Sequence, residues 1–165
     1  MSVIFSVIGI DPGPTTGLAF LNYMDDKLIS KTLLQADGDS SAALLEMMLA
    51  TYYSDRNAVP KRFAEVESFI TSKSAGTKGE AAERTRELIF EHAQILQSWS
   101  YYIERRKKAD IYKRDGTGWA SDKRLKAAGL LGPPEQKHAN DAARHALYAA
   151  VHDARRPDPL RKPWK

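Results

Sequence analysis

The sequence predicts an α/β protein built on a five-stranded mixed sheet of order 3-2-1-4-5 flanked by helices. An apolar run, Val3 to Ile10, stops abruptly at Gly9-Ile10-Asp11-Pro12-Gly13, as a central buried strand does. Gly17 to Tyr23 and Leu28 to Gln35 follow as two more strands, joined by the turn Met24-Asp25-Asp26-Lys27. Helical and strand patterns then alternate. Short turns make the first three strands antiparallel, and helical crossovers join the last two, which sets the first and fourth strands side by side.

After Asp39-Ser40-Ser41, which can cap a helix, Leu44, Leu45, Met48, Leu49 and Tyr52 recur at helical spacing, so a first helix ends near Ser54. Arg62 to Phe69 reads as the fourth strand, with Glu65 and Glu67 alternating around Val66. From Glu80 to about Arg106 the pattern predicts one long helix. Leu88, His92, Ile95, Trp99 and Tyr102 form one stripe and Ile89, Leu96 and Ile103 a second, together spanning roughly 140° of its surface. Such a width allows one stripe to meet the sheet and the other a second subunit, giving a homodimer through helix 80–106. A broad core-facing helix explains the same pattern. Ala109 to Lys113 is the expected fifth strand. A short helix from Ser121 to Ala128 follows, and then a last helix from Gln136 to Ala154 beyond the breakers Gly129, Gly132, Pro133 and Pro134. Residues 1–154 thus read as one domain, and 155–165, with Pro157, Pro159 and Pro163, as an extended or disordered basic tail.

A chain of 165 residues, 42% hydrophobic, can bury one core without covalent staples. It has no cysteine, so a bound metal would be held by oxygen and imidazole, and a reducing compartment is expected. Met1 to Ile10 lacks a basic leader and reads as a strand and not a signal peptide, and no stretch suits a membrane span. A cytoplasmic protein is expected. Its net charge of +4 is unevenly spread: Arg105 to Lys126 holds nine Lys or Arg, and Arg155 to Lys165 five, leaving the remainder net acidic. Basic surface beside an acidic centre suits an enzyme that attracts phosphates overall and gathers cations locally, although a solvated face and frayed tail would show the same runs.

Carboxylates that converge in a fold repel unless cations neutralise them, so they are candidate metal ligands. Asp11 ends an apolar strand before a sharp turn that would expose it at the sheet edge, where it could equally cap the turn. Glu67 ends another strand, with Glu65 as its competitor. His138 and Asp141, three apart, project from one side of the last helix, and His145 follows one turn later. For His145 a polar residue on a half-exposed face is the default, and orientation of Asp141 the functional alternative.

Taken together, Ile8-Gly9-Ile10-Asp11-Pro12-Gly13-Pro14-Thr15-Thr16-Gly17-Leu18-Ala19, Ala64-Glu65-Val66-Glu67-Ser68-Phe69 and His138-Ala139-Asn140-Asp141-Ala142 resemble the three acidic motifs of the RuvC family of Holliday-junction resolvases, within the RNase H-like superfamily. The resemblance covers about residues 3 to 153. It implies a homodimeric endonuclease that resolves four-way DNA junctions, each subunit nicking one strand. By that likeness Asp11, Glu67, His138 and Asp141 are the catalytic and metal-holding residues, with Asp11 between two Mg²⁺ ions. Imidazole suits Mn²⁺ better than Mg²⁺, so Mn²⁺ should support cleavage as well. Phe69 is the nearest candidate for the family's junction-stacking aromatic, one residue closer to the glutamate than usual, and a buried core Phe is its alternative. The stretch Tyr112 to Arg124 stands where the family has a basic DNA-binding segment but is worded more like phage-type relatives. Lys113, Lys123 and Arg124 are expected phosphate contacts, with Trp119 either a stacking platform or a helix anchor.

Two other classes compete. An actin-like phosphotransferase shares a similar first-strand loop but needs a second glycine-rich phosphate loop that this chain lacks, so no nucleotide cofactor is expected. A non-catalytic junction-binding module would keep the fold and the basic surface. Within the nuclease reading, forks, flaps or RNA–DNA hybrids remain as substrates beside the four-way junction.

Overall fold

The structure, a computed structural model, describes residues 4–53, 61–68, 79–112 and 119–160. Strands β1 (Ile4–Asp11), β2 (Thr15–Met24) and β3 (Lys27–Asp37) form an antiparallel meander, and α1 (Gly38–Tyr52) leads away from it. Strand β4 (Lys61–Glu67) runs parallel to β1, with Gly9 opposite Glu65 and Ile10 opposite Val66. After α2 (Glu80–Ser98), β5 (Tyr102–Arg106) adds in parallel beside β4. The sheet order is β3-β2-β1-β4-β5, as the sequence predicts. The chain then forms α3 (Lys108–Tyr112), α4 (Asp122–Ala127) and α5 (Lys137–Tyr148), which continues into a π-helical turn at Ala149–Asp153.

Two elements differ from the expectation. The long helix ends at Ser98, and the fifth strand is Tyr102–Arg106; Ala109 to Lys113 is not a strand, since Lys108–Tyr112 is a short helix. The helix stops because Ser100 adopts a left-handed conformation (φ 62°), Ser100 N–H donates to Gln97 O, and Tyr101 N–H donates to Leu96 O. That is a Schellman closure made without the usual glycine. Tyr102 and Ile103 fall at helical spacing only by coincidence of count.

Strand alternation sorts the core into two layers. Ile8, Ile10, Leu18, Phe20, Ala64 and Val66 face α1 and α2, meeting Leu45, Leu49, Ile89 and Leu96. Phe5, Val7, Ala19, Leu21 and Tyr23 face the other way, onto Ala142, Ala143, Ala146 and Leu147 of α5. The same period turns Gly9, Asp11, Glu65 and Glu67 toward α5. In α2 both predicted stripes are largely consumed by the chain's own core, with Leu88, Ile89, His92, Leu96 and Trp99 buried and Phe90 exposed. His92 accepts or donates at Nε2 with Ser41 Oγ at 2.8 Å, and burial pushes its imidazole down to about 4, so it is neutral. No helix among the described residues is long and apolar enough to cross a membrane.

The start of the tail packs on the domain instead of fraying. Trp119 Nε1–H donates to Asp158 Oδ2 at 2.7 Å, Arg124 reaches Leu160 O at 3.3 Å, and the Arg156 guanidinium lies 4.4 Å over the Phe5 ring. Truncation after Ala154 therefore strands a buried indole N–H and is expected to cost about 1–3 kcal/mol, read as a lower urea midpoint. An unchanged midpoint would show that the tail anchors nothing.

Candidate active site

Sheet register brings the acidic positions together. One residue past the Ile10–Val66 pair, the parallel strands β1 and β4 end in Asp11 and Glu67. Helix α5 crosses them closely because Gly9 and Gly17 present no side chain. A Cβ on Gly9 would lie 1.9 Å from Ala142 O, and one on Gly17 1.9 Å from His138 O. Alanines along α5 complete the fit, and the helix delivers His138, Asp141 and His145, spaced three and four apart, from one face.

Asp11 is 8% exposed. His138 Nδ1 lies 2.8 Å from Asp11 Oδ2, with the ring otherwise open to solvent. Burial, the neighbouring Glu67 carboxylate and the charge of Asp141 push the Asp11 carboxyl up to about 9. Glu67 moves the other way: burial opposes ionisation, but contacts with His145 and Asp11 outweigh it and hold the carboxyl below its usual range.

Protein cations cover the rest of the acidic cluster. Lys108 Nζ stands 2.5 Å from Asp141 Oδ2, and Arg144 Nη1 donates to Asp141 Oδ1 at 3.0 Å while its other nitrogen pairs with Asp122. Behind Glu67, His145 lies 3.4 Å from Glu65 and 3.5 Å from Glu67. Burial lowers the His145 imidazole, the two glutamates raise it more, and the net shift is upward. Burial likewise pushes the fully enclosed Glu65 carboxyl up to about 7, against the pull of His145 and Arg106.

Asp11, Glu67, His138 and Asp141 are thus gathered at one sheet edge. Lys123 is exposed and Arg124 half-buried on α4, on the flank of the molecule that carries Asp122 and its partner Arg144. Trp119 is 1% exposed, which fits the helix anchor and leaves no ring face for a base. Phe69 and Lys113 lie outside the described residues. Sequence reasoning missed Lys108 and Arg144. Arg144 was findable, three residues after Asp141 on the same helix; Lys108 was not, because its segment reads as part of a strand region. His145 is buried between Glu65 and Glu67, where its spacing makes a half-exposed polar residue the default and orientation of Asp141 the alternative.

The donor chemistry suits a hard divalent cation: three carboxylates and one imidazole, with Asp11 forced to keep a proton by its crowded, buried setting. Among the described residues, no three His, Asp or Glu side chains stand as close as direct coordination needs. Asp141 is turned to Lys108 and Arg144, whose cationic heads neutralise it.

A five-stranded sheet of this order, three strands antiparallel and two parallel, with α5 across its α/β junction, is the RNase H-like fold in its RuvC arrangement. The structure is similar to that of Thermus thermophilus RuvC (TM-score 0.61, 15% identity, 91% of this chain and 96% of that one) and to T. thermophilus RuvC in complex with a Holliday junction substrate (TM-score 0.59, 16% identity, 92% and 96%). No family model and no curated protein matches the sequence.

Proposed function

We propose that this protein is a metal-dependent, structure-specific endonuclease that nicks branched DNA, with the four-way junction as its preferred substrate. The meeting of Asp11, Glu67 and His138 beside Asp141, from three distant stretches of chain, carries this reading. It is supported by a fold shared along most of the chain with a resolvase solved on a Holliday junction.

In this reading Asp11, Glu67, Asp141 and His138 hold Mg²⁺, or Mn²⁺ equally well, as a two-ion site. Such ions supply positive charge to the phosphodiester and an ionised water at neutral pH. Holding an ion would require Asp11 and Glu67 both ionised and Asp141 turned from Lys108, whose ammonium, with Lys123 and Arg124, would face the phosphate backbone. His138, held through Nδ1 by Asp11, keeps its other nitrogen facing solvent and substrate. A homodimer formed through α2, with exposed Phe90 at its surface, would set two such sites on opposite strands. An enzyme of this kind works where cellular DNA is, in the cytoplasm of a bacterium or of a phage's host.

Incubation with labelled four-way junction, fork, flap, linear duplex and RNA–DNA hybrid in Mg²⁺ or Mn²⁺ tests this directly. Paired nicks in the junction are expected. Tight junction binding with no nicked product in either metal would instead identify a non-catalytic binding module. Junction affinity should fall more than about tenfold between 50 and 200 mM salt, because Lys and Arg displace condensed counterions. A flat salt response would remove the phosphate contacts from the account.

A further inference from the structure

Glu65 and Glu67 lie on the same face of β4, and α5 crosses both. His145 stands between them, 1% exposed, with Nδ1 3.4 Å from Glu65 Oε1 and Nε2 3.5 Å from Glu67 Oε2. Glu65 is wholly enclosed, and its second oxygen faces Arg106 Nε at 3.5 Å. Arg106 in turn lies 3.6 Å from Asp153 and 4.7 Å over the Tyr148 ring. A row of ionisable groups, Arg106, Glu65, His145 and Glu67, therefore runs through the core from the far edge of the sheet to Asp11.

Stability alone does not account for this row. Burying ionised partners is often matched or bettered by apolar side chains of similar volume, and Ala142, Ala146 and Ala149 on the same helix are buried and apolar. The contacts have a direction, however. Glu65, held by Arg106, faces the inner nitrogen of the ring, and the outer nitrogen faces Glu67, which ends its strand beside Asp11.

We propose that His145, oriented by Glu65, is a positioning residue that holds the Glu67 carboxylate at the sheet edge beside Asp11. The helix that supplies Asp141 thereby also aims Glu67, from one turn further along. This rests on the reading of Glu67 as a metal-holding carboxylate. The separations of 3.4 and 3.5 Å are those of an ion pair, so the ring steers Glu67 without locking it, and the carboxylate can settle onto a cation with a small movement.

Mn²⁺ affinity of the protein alone, by titration calorimetry, tests this in the wild type, His145→Gln and the double variant Glu65→Leu/His145→Leu. The double variant replaces the buried pair with apolar side chains while Arg106 keeps Asp153 as a partner, so it is expected to stay folded, which its urea midpoint checks. Its Mn²⁺ affinity should fall about 10–100-fold, the usual loss when a ligand's support is removed. His145→Gln, whose amide nitrogen sits near the place of the outer ring nitrogen, should recover most of that affinity. A folded double variant that binds Mn²⁺ as the wild type does would overturn the positioning role while leaving a nuclease that still cuts junctions. So would His145→Gln binding as poorly as the double variant. A wild type that neither binds Mn²⁺ nor cuts a junction would instead bring down the proposed function and this inference with it.

Discussion

Asp11→Asn is expected to lose junction cleavage by more than about a hundredfold, beyond the loss that removing a mere support of a metal ligand causes, while raising the thermal midpoint of the metal-free protein. The two effects have one origin. Asp11 is buried against Glu67 and near Asp141, so its carboxyl moves from 3.8 in the unfolded chain to about 9 in the fold. The native state then keeps a proton that the unfolded state releases, and stability falls as pH rises between about 4 and 9. Glu67, held low, contributes in the opposite sense: its share is present above its ordinary value and fades as pH drops through the lowered one.

Asparagine cannot ionise, so the variant should show a flatter stability profile across neutral and mildly alkaline pH. Mn²⁺ should raise the wild-type midpoint at pH 8, less at pH 6 as protons compete for the carboxylates, and leave Asp11→Asn unmoved. Thermal melts at three pH values, with and without Mn²⁺, check all of this. A variant that cleaves at the wild-type rate would remove Asp11 from the chemistry. One whose midpoint drops in the absence of metal would mean that the carboxyl is an ordinary structural partner and not a crowded acid.

Gly9→Ala and Gly17→Ala should each cost about 3 kcal/mol or more, at or above the top of the usual range for overpacking, because the added methyl meets backbone and not a movable side chain. The obstructing atoms are Ala142 O and His138 O, each 1.9 Å from the new Cβ. Relief requires α5 to lift off the sheet, which would carry His138 away from Asp11. Gly13→Ala is the control within the same motif. Its Cβ would meet nothing nearer than Thr15 O at 3.4 Å, and the change should stay within about 1 kcal/mol. Urea midpoints for the three variants decide the matter; equal losses at all three positions would show that the glycines are needed for chain flexibility and not for helix approach.

These glycines show how much of the site was legible beforehand. The run from Ile8 to Ala19 announced a buried strand ending in an acidic turn, and period-two alternation aimed Asp11, Glu65 and Glu67 at one face. Helical spacing placed His138, Asp141 and His145 together. What local pattern could not supply was the end of α2, because a serine took the left-handed position that a glycine usually marks, and Tyr102 and Ile103 continued the helical count into a strand. With β5 misplaced, Lys108 had no reason to be found near Asp141. Trp119 shows a different limit: a tryptophan among basic residues reads equally as a stacking platform or an anchor, and only its bond to Asp158 decided between them.

The sequence by itself determined the strand order and the faces on which the carboxylates lie, since alternation, helical spacing and turn residues are local and repeat along the chain. Only the tertiary structure decided which carboxylates His145 faces, which cations lie beside Asp141, and that the residues just past Ala154 pack on the domain. Those are contacts between residues tens of positions apart, set by the distance at which a helix settles on a sheet.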